Sequence, residues 1–138
     1  DQVVLPMVEV FKPDVLVTQL GIDTHFNDPL THLQMTVQGH SEIVRALQSL
    51  APCWVALGGG GYDMAAVARG WTLDYGVMLG IDWPDKIPDH YRRSYGLGKL
   101  RDSAAPHQDQ GLRDTTKRFA VDSVEKIRRE IFPLHGIT

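Results

Sequence analysis

Two loops of this 138-residue chain carry side chains that could do chemistry. The first loop, QLGIDTHFNDPL at residues 19–30, places Asp23 shortly after an apolar run, and a carboxylate fixed there suits a divalent metal ion. Taken alone, an aspartate in such a place more often caps a turn. The glycine loop, LGGGGYD at residues 57–63, presents Tyr62, whose phenol could donate a hydrogen bond to a developing oxyanion. Taken alone, a tyrosine is more often a half-buried core aromatic.

The run of four glycines before Tyr62 favours a rigid, close-fitting turn. Glycine permits positive φ and lets the backbone approach a ligand closely. A flexible tetraglycine directly on a buried strand would cost ordering entropy without a gain. A phosphate-binding loop does not fit, because no Lys-Ser or Lys-Thr follows and no G-x-G-x-x-G can be placed across residues 58–64.

The surrounding elements predict an α/β fold with a parallel sheet. Short apolar runs at 14–19 and 53–58 each follow a proline and are typical of buried parallel strands. Helical spacing predicts one helix before the first strand, one between the strands that Thr36 or Ser41 could cap, and one from Asp63 to Leu79. This order implies βαβ units, and ligands bind beyond the carboxyl ends of such strands. Both loops are therefore expected at one pocket.

The second half of the chain is less regular. Residues 80–112 contain prolines, glycines and charges that predict loops and short turns. Residues 113–132 predict a closing amphipathic helix, whose apolar stripe should dock on an apolar surface. The stripe consists of Ala120, Val124, Ile127 and Ile131.

Bulk composition excludes several classes of protein. Acidic and basic residues are interspersed with a net charge of −3, which argues against a nucleic-acid partner. No apolar run is long enough to span a membrane. The chain has no initiator Met and no secretion signal, so we expect it to begin inside a longer protein. A single cysteine, Cys53, then fits a reducing cytoplasm.

The two loops together resemble a known family. QLGIDTHFNDPLTHLQMTVQGH, followed after a helix by ALGGGGYDMAAVARGWT, is similar to the C-terminal half of histone deacetylase superfamily proteins, and most similar to bacterial acetoin-utilisation deacetylases. The likeness covers about residues 3–95. It implies that residues 1–138 are the C-terminal portion of a single deacetylase domain with an arginase/deacetylase-like fold, a three-layer α/β/α sandwich around a parallel sheet.

The resemblance also implies roles for individual residues. Asp23 matches a ligand of the catalytic zinc, and Tyr62 matches the tyrosine that stabilises the oxyanion. Leu30 matches the rim of the acyl-lysine tunnel, and Gly59 and Gly60 match its lining. The implied reaction is zinc-dependent hydrolysis of an acetamide, on acetyl-lysine or a small acetylated amine such as an acetylpolyamine. The family's other two zinc ligands and its histidine base lie upstream, so this chain alone is expected to be inactive.

Two other functions stay open. Ureohydrolases such as arginase bind two manganese ions with D-x-D-x-x-D-P, and residues 23–29 have that shape with His25 at the second Asp. The glycine loop argues against this reading, because that chemistry needs no tyrosine donor. A half-domain could instead be an interaction module, forming a homodimer through an exposed face of its half-sheet.

The remaining notable residues have structural interpretations. Asp28 should fix the first loop by hydrogen bonding, and Cys53 should be a small core residue. The tryptophans are expected in packing or at a rim, and the other histidines at the surface or in caps: Trp54, Trp71 and Trp83; His40, His90, His107 and His135.

Overall fold

The computed structural model describes residues 2–137, which form two compact units. Unit 1 comprises the residues up to 16, residues 49–53 and the residues from 107 onward. Unit 2 comprises residues 17–48 and 54–106, and therefore contains both loops. Within residues 2–137, no helix is both long and apolar enough to cross a membrane.

The predicted helices and strands are present, and their ends follow local signals. The elements are α1 Val4–Phe11, β1 Val15–Gln19, α2 Val37–Leu47, β2 Cys53–Leu57, α3 Met64–Leu79, α4 Asp89–Tyr95, α5 Gln110–Glu130 and a 3-10 helix Phe132–His135. Thr36 caps α2 by accepting a hydrogen bond from the Gly39 N–H, and Asp63 caps α3 in the same way from Ala66. Gly80 ends α3 with a φ of 68°, as expected of a glycine stop.

The two strands pair in parallel, and α2 and α3 pack on one face of the sheet in unit 2. A buried cluster joins the sheet to these helices: Leu20, Val44 and Val77, with Trp54 and Ala56 packed against it. Side chains on the opposite face, which we call the open face, stay exposed: Val17, Val55 and Leu57. The prediction of α/β elements with a parallel sheet is confirmed, but the strands are covered on one face rather than buried on both.

Strand alternation also corrects the prediction for Cys53. Successive side chains of a strand point to opposite faces. Cys53 has the parity of the outward-facing Val55 and Leu57, and its thiol is exposed rather than in the core.

A second cluster forms a core beneath the two loops: Ile22, Val37, Ala66, Val67, Leu73, Ile87 and Leu100, with Trp83 and Leu97 at its edge. Ile87 and Leu100 come from the region predicted as irregular. That region contains the short helix α4 and an antiparallel bridge between Lys86 and Lys99, which returns Leu100 to the core. The segment from 80 to 102 is thus a structural part of unit 2.

The closing helix of unit 1 is longer and more exposed than the sequence predicts. It begins at Gln110 instead of 113, and none of its residues is buried. Val124 and Ile127 are half-buried, whereas Ala120 is exposed. The predicted docking is therefore wrong at the two ends of the stripe, Ala120 and Ile131, which are both exposed. Within unit 1 the helix packs against the following 3-10 helix, where Phe132 is buried, and this contact covers only its end.

Candidate functional site

The first loop and the glycine loop lie side by side at the carboxyl end of the sheet. The Leu20 N–H donates to the Leu57 carbonyl at 2.8 Å, and the Ile22 N–H donates to the Gly60 carbonyl at 2.7 Å. These bonds extend the pairing of β1 and β2 into the loops. The two loops are therefore adjacent, as predicted, but Tyr62 is not among the residues that line the cavity beside Asp23, so a pocket shared by the two side chains stays a prediction.

The Asp23 carboxylate packs directly on the glycine loop. A Cβ built on Gly60 would overlap Asp23 Oδ2 and lie 2.8 Å from Asp23 Cγ. A Cβ on Gly21 would lie 2.9 Å from Asp23 Oδ1. The Asp23 carbonyl also accepts a hydrogen bond from the Thr31 hydroxyl. Close backbone packing on both sides therefore restricts where this carboxylate can point.

Asp23 also lines a cavity of about 430 Å³ at this end of unit 2. Backbone from both loops contributes to the wall through Gly21 and Gly60, and α2 contributes His40 and Val44. A half-buried carboxylate beside a cavity can bind a cation that enters it.

Tyr62 is presented on a turn that only glycine can make. Gly61 has a φ of +145°, and a Cβ there would lie 2.6 Å from Val67 Cγ2. The Tyr62 side chain is 56% exposed, so Tyr62 is not a core aromatic. Its backbone N–H donates to Asp28 Oδ2 at 2.9 Å, which fixes the position of the Tyr62 backbone. An accessible phenol on a fixed backbone at the rim of unit 2 can donate a hydrogen bond to a ligand.

Asp28 joins the two loops, which confirms the prediction that it fixes the first loop by hydrogen bonding. Its Oδ1 accepts the N–H groups of Leu30 and Thr31 at 2.9 and 3.2 Å, while Oδ2 accepts that of Tyr62. Burial alone would raise the pKa of Asp28, but these three N–H donors hold the pKa below its usual value. The bridge is therefore an ionised carboxylate at neutral pH.

The predicted substrate contacts occupy distinct places in the site. Leu30 is 65% exposed beside the Asp28 bridge. Gly59 packs so tightly on the first loop that a Cβ there would lie 2.8 Å from Gly21 Cα. Gly60 contacts the Asp23 carboxylate as described above. The roles of Leu30, Gly59 and Gly60 toward a substrate stay predictions.

A buried charged cluster behind the first loop has no signal in the sequence. Asp102 Oδ2 accepts hydrogen bonds from His25 Nε2 at 3.1 Å and from the Val37 N–H at 2.8 Å. Asp102 Oδ1 accepts one from Arg69 Nη1 at 2.7 Å. Asp102 follows Arg69 by 33 positions and His25 by 77, so no local spacing could have joined them.

His40 is the histidine for which the sequence interpretation is wrong. It is buried, with Nε2 3.2 Å from Asp74 Oδ2 and Nδ1 3.5 Å from the Thr24 hydroxyl. The reason is its position in the first turn of α2, where its side chain meets α3. The other histidines predicted at the surface are exposed, namely His90, His107 and His135.

Among residues 2–137, no group of three His, Cys, Asp or Glu side chains is placed to hold a metal ion. A catalytic zinc usually has three protein ligands. Asp23 fits the part of one ligand, and the residues described here do not by themselves complete a zinc site. Further ligands would have to come from elsewhere.

The comparisons with known proteins agree on one family. Residues 1–78 match the family model described as the histone deacetylase domain. The chain is 44% identical over 87 residues to acetoin utilization protein AcuC of Bacillus subtilis, covering 59% of this chain and 22% of that protein. It is 31% identical over 127 residues to histone deacetylase 1 of Oryza sativa, covering 88% of this chain and 24% of that protein. The chain thus spans about a quarter or less of the length of these relatives.

A solved structure extends the comparison to the fold. An HDAC homolog from Aquifex aeolicus superposes with a TM-score of 0.62 at 24% sequence identity, covering 83% of this chain and 36% of that one. A second solved structure, an HDAC homolog complexed with SAHA, superposes with a TM-score of 0.60. These likenesses show an α/β fold of the arginase/deacetylase type. Since the family match covers more than half of its residues, this chain belongs to the histone deacetylase family.

Proposed function

We propose that this chain is part of a longer zinc-dependent deacetylase, to which it contributes Asp23 as a metal ligand and Tyr62 as the oxyanion donor. The substrate is an acetamide, on an acetylated lysine or a small acetylated amine. The observation that carries the proposal is the Asp28 bridge, which ties the backbone of Tyr62 to the loop that holds Asp23. Membership of the histone deacetylase family and the relative named for acetoin utilisation support it.

The proposal gives each residue a role that its surroundings support. Asp23, held between Gly21 and Gly60, supplies one carboxylate ligand. Zinc, when bound, polarises the amide carbonyl and lowers the pKa of water. The accessible Tyr62 hydroxyl donates a hydrogen bond to the oxyanion that develops on the carbonyl oxygen. Leu30 offers apolar surface to the acyl-lysine chain, and the packed backbone of Gly59 and Gly60 forms one wall of its channel.

Under this proposal, the other catalytic groups lie in the part of the longer protein outside this chain. Two more zinc ligands and a histidine general base are needed for the reaction. The 138-residue chain alone is therefore expected to bind zinc weakly and to lack turnover. The cytoplasmic location and a homodimer through the open face also stay predictions, and sedimentation of the purified chain tests the dimer.

The experiment on Tyr62 is a Tyr62→Phe substitution in the longer protein, assayed on an acetyl-lysine peptide and an acetylpolyamine. Loss of one oxyanion donor should lower turnover by roughly 10²–10³-fold, with zinc content unchanged. Tyr75→Phe is the matched control, because Tyr75 is 58% exposed on α3 and has no role in the proposal. Near-normal turnover of Tyr62→Phe would contradict the assigned role.

The two-manganese alternative is disfavoured by the surroundings of His25. In a ureohydrolase-like site this position would bind a second metal ion. Here the His25 ring is 1% exposed, its Nε2 contacts Asp102 and its Nδ1 accepts the Asn27 N–H at 3.2 Å. Both ring nitrogens are therefore engaged within the protein, which supports a single-metal site.

A further inference from the structure

Asp102 connects three separate elements of unit 2 through one carboxylate. It contacts the first loop through His25, the first residue of α2 through the Val37 N–H, and α3 through the Arg69 guanidinium. The Asp102 side chain is 7% exposed and that of Arg69 is 11% exposed, so water screens these contacts little.

The backbone of Asp102 is itself held by hydrogen bonds. The Asp102 N–H donates to Gln38 Oε1 at 2.9 Å, and Gln38 Nε2 donates back to the Asp102 carbonyl at 3.2 Å. Arg69 is held in turn by the carbonyls of Ala65 and Leu100. Contacts other than the one to the first loop thus hold both the backbone and the carboxylate of Asp102.

The hydrogen bonds of His25 define its tautomer. Because Nδ1 accepts the backbone N–H of Asn27, that nitrogen carries a lone pair. The proton is then on Nε2, which donates it to Asp102. The imidazole spans from the backbone of the first loop to Asp102, two residues along the chain from Asp23.

We propose that Asp102 is a positioning residue, which holds the first loop in place through His25 and thereby sets the direction of the Asp23 carboxylate. The metal-binding part of this inference rests on the proposed function, whereas the hold on the loop does not. Asp102, which lies outside both motif loops, then becomes part of the machinery that shapes the site.

The ionisation of Asp102 agrees with this role. Burial alone would raise its pKa, but the Val37 N–H, the hydrogen bond and charge of Arg69, and His25 together lower the pKa below its usual value. A charged acceptor makes stronger hydrogen bonds than a neutral one. Removing it would leave the buried His25 N–H without an acceptor, which is costly enough to move the ring and the loop with it.

The test uses the 138-residue chain with Asp102→Asn and Asp102→Ala. Two readouts report on the loop: the ¹⁵N shifts of the His25 ring, which give its tautomer, and hydrogen exchange of the Asn27 amide. Asp102→Ala should shift His25 away from a single Nε2–H tautomer and speed exchange at Asn27 by about fivefold to tenfold. Asp102→Asn, which keeps the size of the side chain, should give a smaller change in the same direction.

Asp82→Asn is the matched control. Asp82 lies on the same segment, pairs with Arg101 and is 78% exposed, so neither readout should change. If Asp102→Ala does not fold, Asp102→Asn decides. Wild-type ring shifts and wild-type exchange at Asn27 in that variant overturn the proposal.

A second arm uses the longer protein. Asp102→Asn should lower kcat/KM by about 10–100-fold, the usual effect of groups that orient a metal ligand, whereas Asp82→Asn should not. Altered His25 shifts with unchanged kcat/KM would overturn the link to Asp23. If the wild-type protein deacetylates nothing, the proposed function fails, and the ring and exchange readouts still decide whether Asp102 holds the loop.

Discussion

Replacing Gly60 with alanine tests how tightly the glycine loop fixes the Asp23 carboxylate. The added Cβ would lie 2.8 Å from Asp23 Cγ. Two carbon atoms prefer a separation of about 3.5–4.0 Å, so the carboxyl group has to retreat by about 1 Å. Gly60 is not among the glycines with positive φ, and its backbone therefore accepts alanine without strain. The three atoms nearest to the added Cβ all belong to Asp23, so the perturbation acts first on this residue.

The size of the effect follows from this displacement. Metal–ligand distances tolerate only about 0.2 Å of error, so a shift of about 1 Å removes Asp23 as a good ligand. A misplacement of that size costs about 10²-fold in rate, which is the loss of kcat/KM that we expect for Gly60→Ala. Overpacking should lower the free energy of unfolding by about 1–3 kcal/mol.

The assay compares zinc affinity, by competition with a chelator, and deacetylation rate in the longer protein. Gly98→Ala is the control, because its Cβ would meet only Arg92 Cδ at an ordinary 3.8 Å and its φ is not positive. A folded Gly60→Ala protein with the zinc affinity and the rate of Gly98→Ala would show that Gly60 does not hold Asp23 in place as a ligand.

Three further predictions concern the same loops. Gly61→Ala should lower the free energy of unfolding by about 3 kcal/mol, because the new side chain needs a positive φ and overlaps Val67. Gly80→Ala, whose Cβ meets open space, is the control and should lower it by about 1 kcal/mol. Equal losses in urea titrations followed by tryptophan fluorescence would rule out the close packing at Gly61. Because the folded pKa of Asp28 is lowered, its stabilisation is fully present above the unfolded value of 3.8 and is lost as pH falls through the folded pKa. Urea midpoints from pH 2 to 6 should therefore depend less on pH in Asp28→Asn, and identical profiles would count against the bridge. His25→Ala in the longer protein should leave one zinc per chain by metal analysis, whereas loss of one of two ions would favour the ureohydrolase reading.

Much of the local structure of unit 2 could be predicted from the sequence. The α2 cap and the α3 stop depend on the chemistry of single residues: Thr36, one of the two predicted cap candidates, caps α2, and Gly80 ends α3 as predicted. The meeting of the two loops follows from parallel topology, which brings successive strand ends to one edge. The interpretation of Asp28 succeeded because its three hydrogen-bond partners lie in the two motifs already identified.

The remaining features depend on contacts between distant parts of the chain. His25, Arg69 and Asp102 meet only because segment 80–102 folds back beneath the first loop. The burial of His40 depends on the packing of α2 against α3, which a pattern within α2 does not encode. Apolar periodicity also predicts that one face of an element is buried, but it does not identify the element that packs against that face. The open face of the sheet and the first half of α5 show the consequence.

Asp23 is proposed to be a ligand of a single catalytic zinc ion. Metal analysis, combined with a deacetylation assay, of the longer protein with and without Asp23→Ala tests this role. We expect one zinc per chain in the wild type, and loss of zinc and of deacetylation together in Asp23→Ala. An Asp23→Ala protein that keeps its full zinc content, or a wild type that holds two manganese ions, would contradict the account.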